Sequence, residues 1–204
     1  MKKLVLLSAC CAFASTTAFA HIHIEENSAP AGYDHHPMKL SVPHGCGDSP
    51  VKEVHMKIPD GITAVRIGYN RDWKIQVKNR KLDKPVPGEG GRTITETIDE
   101  IIWSEPKSPI PAAGFYDSFP FEATLPNKPG EILFFKAYAV CEKGDDKYVE
   151  VPKTPINAND PDFGKKMAQF IRSGGPAPWV VLVKPDHPQF PWGSLSEVGK
   201  AAGK

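Results

Sequence analysis

Beyond its first twenty residues the chain lacks any apolar run near the ~20 residues that span a bilayer as a helix. It also lacks a dominant charge. Lys and Arg number 25 and Asp and Glu 24, leaving +1, so nothing in the balance draws it to nucleic acid or an anionic membrane. Gly-x-Ser-x-Gly and His-Glu-x-x-His are both absent, which disfavours hydrolases of those designs. No internal repeat is present, which disfavours a repeat architecture. Cysteine is sparse, at four.

What is present begins at the N-terminus. Lys2 and Lys3, an apolar stretch and Ala18-Phe19-Ala20 make residues 1–20 a secretory signal with an A-x-A cleavage site. A lipoprotein-like start at Leu7-Ser8-Ala9-Cys10 is the competing pattern. Its apolar run, Leu4 to Leu7, is much shorter than the usual 7–15 residues. Cleavage after Ala20 exposes His21 at the head of His21-Ile22-His23-Ile24. An N-terminal histidine offers two nitrogens from one residue. Its α-amine and Nδ1 close a chelate ring suited to the tetragonal geometry of Cu(II). The bland alternative is that some residue must come first.

Cys10 and Cys11 leave with the signal, so Cys46 and Cys141 remain in an oxidising compartment. They read as one disulfide closing a loop of nearly a hundred residues, worth about 4–5 kcal/mol in the chain-entropy model. Two copper-binding thiolates are the competing reading, disfavoured because exported thiols beside a redox metal oxidise. The expected location is therefore periplasmic or extracellular.

Pro and Gly are frequent, at 21 and 17, and short alternating segments recur between turn residues. They run 21–25, 38–42, 51–58, 62–67, 73–77, 93–103, 119–125, 132–141 and 148–151. The connection Lys81 to Gly91 reads as a flexible hairpin-like link. This spacing predicts an all-β sandwich, cupredoxin-like or immunoglobulin-like, over residues 21–152. Asp160-Pro161 offers an N-cap and first-turn proline. Phe163, Met167, Phe170 and Ile171 share a face, and Gly174-Gly175 stop the helix. One short C-terminal helix and a strand or strap at Trp179–Val183 should pack on the sandwich within 153–184. Residues 185–204 read as a loosely held tail.

Several stretches, in order, resemble the YcnI-like family of exported copper-binding domains. They are His21 with Ser28-Ala29-Pro30-Ala31-Gly32, and Val42-Pro43-His44-Gly45-Cys46-Gly47-Asp48-Ser49-Pro50. Val54 to Gly61, Asp72-Trp73, Ile102-Trp103-Ser104, Phe119-Pro120-Phe121, Leu125-Pro126 and Val140-Cys141-Glu142-Lys143-Gly144 follow. The resemblance implies a cupredoxin-like sandwich holding one Cu(II) at a monohistidine brace, with a nearby Trp that modulates affinity. It also implies a role in copper handling rather than catalysis. Relatives place that Trp seven residues after the cysteine; here Tyr148 stands there, as an aromatic wall that adds a possible oxygen ligand. Relatives often have an acidic residue directly after the first cysteine; here Gly47 intervenes and Asp48 follows.

The candidate metal residues are therefore His21, Asp48 and His44, with Tyr148 as the tuning aromatic. His23 opens a rival in which Cu(II) is wrapped by four nitrogens, two of them deprotonated amides. That wrap is blocked if Ile22 and Ile24 pair in a sheet. His44 reads equally as a turn histidine, His35-His36 as solvated surface, His55 as an exposed strand residue and His187 as a tail residue. Trp73, Trp103 and Phe119 read as core. Met38, Met56 and Met167 lack the clustering of a thioether site. The expected function is copper chaperoning, buffering or delivery, with a copper ion and exported copper-handling proteins or a membrane copper transporter as partners. The alternatives are a CopC-like copper carrier, a structural sandwich that binds an exported partner, or a copper oxidase. The last is disfavoured because no aromatic series marks a flat substrate face.

Overall fold

The computed structural model describes residues 21–88, 91–172 and 174–186. The expected signal, with Cys10 and Cys11, and nearly all of the expected tail, with His187, lie outside the described residues.

Alternation of apolar and polar residues builds most of the strands. Strands β1 (His23–Ile24), β3 (His36–Val42), β8 (Asp117–Ala123) and β5 (Val65–Ile67) form one four-stranded sheet in that order. The facing five-stranded sheet runs β11 (Asp145–Tyr148), β10 (Ala137–Cys141), β4 (Val51–Lys57), β7 (Thr93–Ser104) and β6 (Lys74–Pro87). A third sheet sets β12 (Trp179–Val183) between β2 (Ser28–Pro30) and β9 (Ile132–Phe134). The all-β, immunoglobulin-like class is as expected. The strap is a full strand, parallel to β2 and antiparallel to β9, so the C-terminal segment is built into the sheets.

The inner faces meet over Trp103, Phe119, Phe121, Phe135, Leu40, Met56 and Ile101, all fully buried. Trp103 and Trp73 both lie against Phe119, at centroid distances of 4.9 and 5.2 Å. Each buried aromatic removes a large apolar area from water. Trp73 anchors its polar end by donating from Nε1 to Asp117 at 2.8 Å.

Several segments differ from expectation. Lys81–Pro87 is strand, because β6 and β7 continue their pairing to Pro87–Thr93 past an irregularity after Lys81. This hairpin arm is mostly exposed, and its ladder hydrogen bonds hold it without a core beneath. The stretch at 148–151 is strand only through Tyr148; its partner β10 begins at Ala137, leaving Val149 and Val151 exposed. Segment 132–141 is two strands in different sheets, split at Phe135-Lys136.

Helix α1 (Phe163–Ile171) starts after Asp160-Pro161. Asp160 is not the N-cap; Asp162 stands there, and no side chain caps the helix. Met167 and Phe170 are buried against Ile132, Phe134 and Trp179, covering the third sheet. Ile171, expected on that face, is 40% exposed.

Cys46 and Cys141 form the expected disulfide across 95 residues. It ties the turn after β3 to the end of β10. Replacing both cysteines with serine should lower unfolding free energy by about 4 kcal/mol, from lost loop-closure constraint. Urea unfolding of oxidised native and double-variant protein measures this; a loss below about 1 kcal/mol would show that neighbouring contacts hold the turn instead.

Candidate metal centre

The N-terminal strand sets the position of His21. Ile22 and Ile24 are 3% and 2% exposed. Between them His23 pairs with Ser41, and Ile24 with Leu40, while the Glu25 amide donates to Lys39 at 3.0 Å. This pairs His23, whose amide is one of the two that a four-nitrogen wrap would need to deprotonate, while Ile22, which carries the other, is buried but lies before the strand. His23 is exposed and its Nδ1 donates to the His21 carbonyl at 2.9 Å. That nitrogen is then occupied by its own proton. The His21 ring lies against Tyr148, with centroids 5.3 Å apart and planes tilted by 58°.

Tyr148 is buried at the end of β11, opposite Ala137. Burial pushes its hydroxyl above the ordinary range, and the Asp146 carboxylate adds to the shift. Tyr148 is therefore a neutral phenol at physiological pH, not a phenolate. Asp146 stands two residues earlier, on the same face of the strand. The sequence reading missed it, although that two-residue spacing from Tyr148 was the available signal.

The stretch around His44 and Asp48 is built by turn geometry. A Cβ on Gly45 would lie 2.0 Å from the Ser49 carbonyl oxygen, so only glycine fits there. Gly47 takes a left-handed φ of 58°. The Cys46 amide donates to Ser49 at 2.9 Å, and the Ser49 amide returns to Cys46 at 3.0 Å. His44 donates from Nδ1 to the Gly45 carbonyl at 2.5 Å, and Asp48 is exposed at the turn. His21, His44 and Asp48 do not form a three-donor cluster. Among the described residues no group of three His, Cys, Asp or Glu side chains is placed to hold a metal ion. A brace draws two donors from one residue, so it does not require one. With Cys46 and Cys141 in the disulfide, the side-chain donors around His21 among the described residues are nitrogen and oxygen, a set that fits Cu(II) rather than Cu(I).

Two histidine assignments are corrected. His55 is buried at 7% exposure. It points to the outer face of the five-stranded sheet, as alternation requires, but cross-strand neighbours cover it. Its Nδ1 lies 2.8 Å from Glu100, its Nε2 bonds Glu53, and Tyr138 stacks on the ring at 4.1 Å. Burial opposes ionisation of Glu100, yet hydrogen bonds from Lys78 and His55 outweigh it and hold the carboxyl below its usual range. His36 is half-buried at the start of β3, not solvated surface. Both its ring nitrogens are buried without a hydrogen-bond partner, beside the Tyr33 ring at 5.2 Å. His35 takes a left-handed φ of 55° and sits 3.6 Å from Asp34.

The sequence profile of a domain of unknown function, DUF1775, matches residues 21–164. The chain belongs to the DUF1775 family. This is the YcnI-like family that the sequence resembles. The match begins at His21 and reaches into α1, past the expected boundary at 152. No curated protein matches. A solved protein from Nocardia farcinica with an immunoglobulin-like fold is 15% identical, with a TM-score of 0.52 over 80% of this chain and 99% of its own. A Corynebacterium diphtheriae protein described as membrane-anchored is 12% identical, with a TM-score of 0.36 over 84% of this chain and 37% of its own. The first supports the fold alone. Among the described residues no helix is long and apolar enough to cross a membrane.

Burial pushes the His36 imidazole below its ordinary value. The folded state then binds fewer protons than the unfolded chain as pH falls below about 6.5. Stability should be unaffected by His36 above that pH and fall progressively below it. The carboxyls held low, Glu25 and Glu100, lose their stabilisation only at more acidic pH. Chemical unfolding at pH 7.5, 6.5 and 5.5 should show the decline, and His36→Gln should flatten it. An equal decline in the variant would assign it to other groups.

Proposed function

We propose that the mature protein is an exported copper-binding protein that holds one Cu(II) through the N-terminal amine and imidazole of His21. It acts in copper chaperoning, buffering or delivery, and not in catalysis. The contact between His21 and the buried Tyr148 carries this reading. It sets His21, the residue whose amine cleavage after Ala20 would free, against the aromatic that the family resemblance singles out. Three further observations support it. The family match starts at His21, the residue that cleavage after Ala20 would expose. The paired backbone of β1 disfavours the rival wrap. The disulfide removes thiolate competition.

When bound, copper would supply a Lewis-acidic, redox-active centre. The residues of this chain supply its environment. His21 would give the chelate, Tyr148 a neutral wall that excludes water from one side, and Asp146 negative charge behind that wall. His44 and Asp48 remain candidate outer donors only if the turn moves toward His21.

Mature, tag-free protein with one equivalent of Cu(II) should give a tetragonal type-2 EPR spectrum with nitrogen hyperfine structure. His21→Ala and one residue added ahead of His21 should each abolish tight binding, while His23→Ala should change it little. Binding should weaken as pH falls, because both chelating nitrogens must be unprotonated. Full-strength binding by the extended protein would place the ligands elsewhere.

Tyr148→Trp should shift copper affinity and the EPR parameters while leaving the circular dichroism spectrum intact. Unchanged affinity and spectrum would reduce Tyr148 to packing.

A further inference from the structure

A cleft of about 650 Å³ opens between β9 and the segment that follows β11. That volume is typical of small-molecule sites. Its walls are apolar: Ile132 and Phe134 on one side, Val151, Pro152, Pro155 and Ile156 on the other. Four of these wall residues lie in the proline-rich stretch after β11, where Val151 is 41% exposed.

The charges in the cleft do not cancel. Its carboxylates are Asp60 and Glu131, and its cations Lys57, Lys128 and Lys136. Lys128 is 3.4 Å from Glu131, and Asp60 is 3.7 Å from Arg80. Lys57 is 3.3 Å from Asp99. Lys136 alone makes no ion pair among the described residues. It follows the fully buried Phe135 and is itself exposed at the cleft, while its backbone carbonyl accepts from the Lys57 amide at 2.8 Å. The backbone is thus fixed and the ammonium is left over.

We propose that this cleft binds a free apolar organic monoanion, such as a medium-chain carboxylate, with its carboxylate on Lys136 and its chain along Ile132, Phe134 and Val151. One uncompensated cation at the edge of an apolar trough matches one negative charge on an apolar body. A dianion would leave one charge without a partner, and a neutral hydrocarbon would leave the ammonium unused. The site is separate from His21 and does not rest on the copper reading.

Titration calorimetry of metal-free protein, from His21 to Lys204, tests it with decanoate, dodecanoate and 1-dodecanol below micelle-forming concentrations. Saturable one-to-one binding is expected, with dodecanoate about sixteenfold tighter than decanoate, from about fourfold per methylene. Lys136→Gln should weaken dodecanoate about tenfold and leave dodecanol unchanged. Val151→Asp, a change at an exposed position that should not disturb folding, should weaken both carboxylates. Native-like dodecanoate affinity in Lys136→Gln, or uptake that neither saturates nor depends on chain length, would overturn the assignment.

Discussion

The site depends on the burial of Ile22 and Ile24 on either side of His23. Burying two isoleucines is worth about 3–6 kcal/mol. Ordering the four residues around them costs about 4–8 kcal/mol of backbone entropy. The two terms nearly cancel, so the strand is held by what is added: pairing with β3 and the ring of His21 against Tyr148. A leader strand so evenly balanced suits a residue that must be both positioned and accessible. It also bears on how a metal could be chelated there. Pairing at His23 occupies one of the two amides that the four-nitrogen wrap needs, which favours the α-amine and ring of His21 as the candidate donors.

The disulfide serves the same end from the other side of the sandwich. Cys141 ends β10, and β10 pairs with β11, whose last residue is Tyr148. Cys46 follows the turn that leaves β3, the strand on which β1 lies. One covalent link therefore couples the strand that carries the aromatic to the strand that carries the histidine. The Lys143 amide donates to Ser49 Oγ at 2.8 Å, and the Glu142 amide to the Pro50 carbonyl at 3.0 Å, so hydrogen bonds reinforce that junction.

Much of this was legible in the sequence, for identifiable reasons. Alternation revealed strands wherever one face was buried, as at Val54 and Met56. It failed on the arm beyond Lys81, which pairs without a core, and on the three residues of β2, too short to alternate. The disulfide was legible because only two cysteines lie beyond the expected signal. The Tyr148 position came from the family resemblance, which places an aromatic seven residues after Cys141, and the structure sets it beside His21. His55 and His36 were misread because their covers come from distant segments. Glu100 and Tyr138 are 45 and 83 residues from His55 in sequence and meet it only through strand register.

Tyr148 in place of Trp bears on what the centre can do. A buried indole offers a face and an N–H donor, whereas a phenol offers a smaller face and an oxygen. That oxygen is a poor anionic ligand as long as burial and Asp146 keep it protonated. A bound Cu(II) would oppose both effects, since a nearby cation favours the ionised form. On the proposed copper reading, the phenol would stay a neutral wall beside an empty site and would be drawn toward the anionic form beside a bound cation.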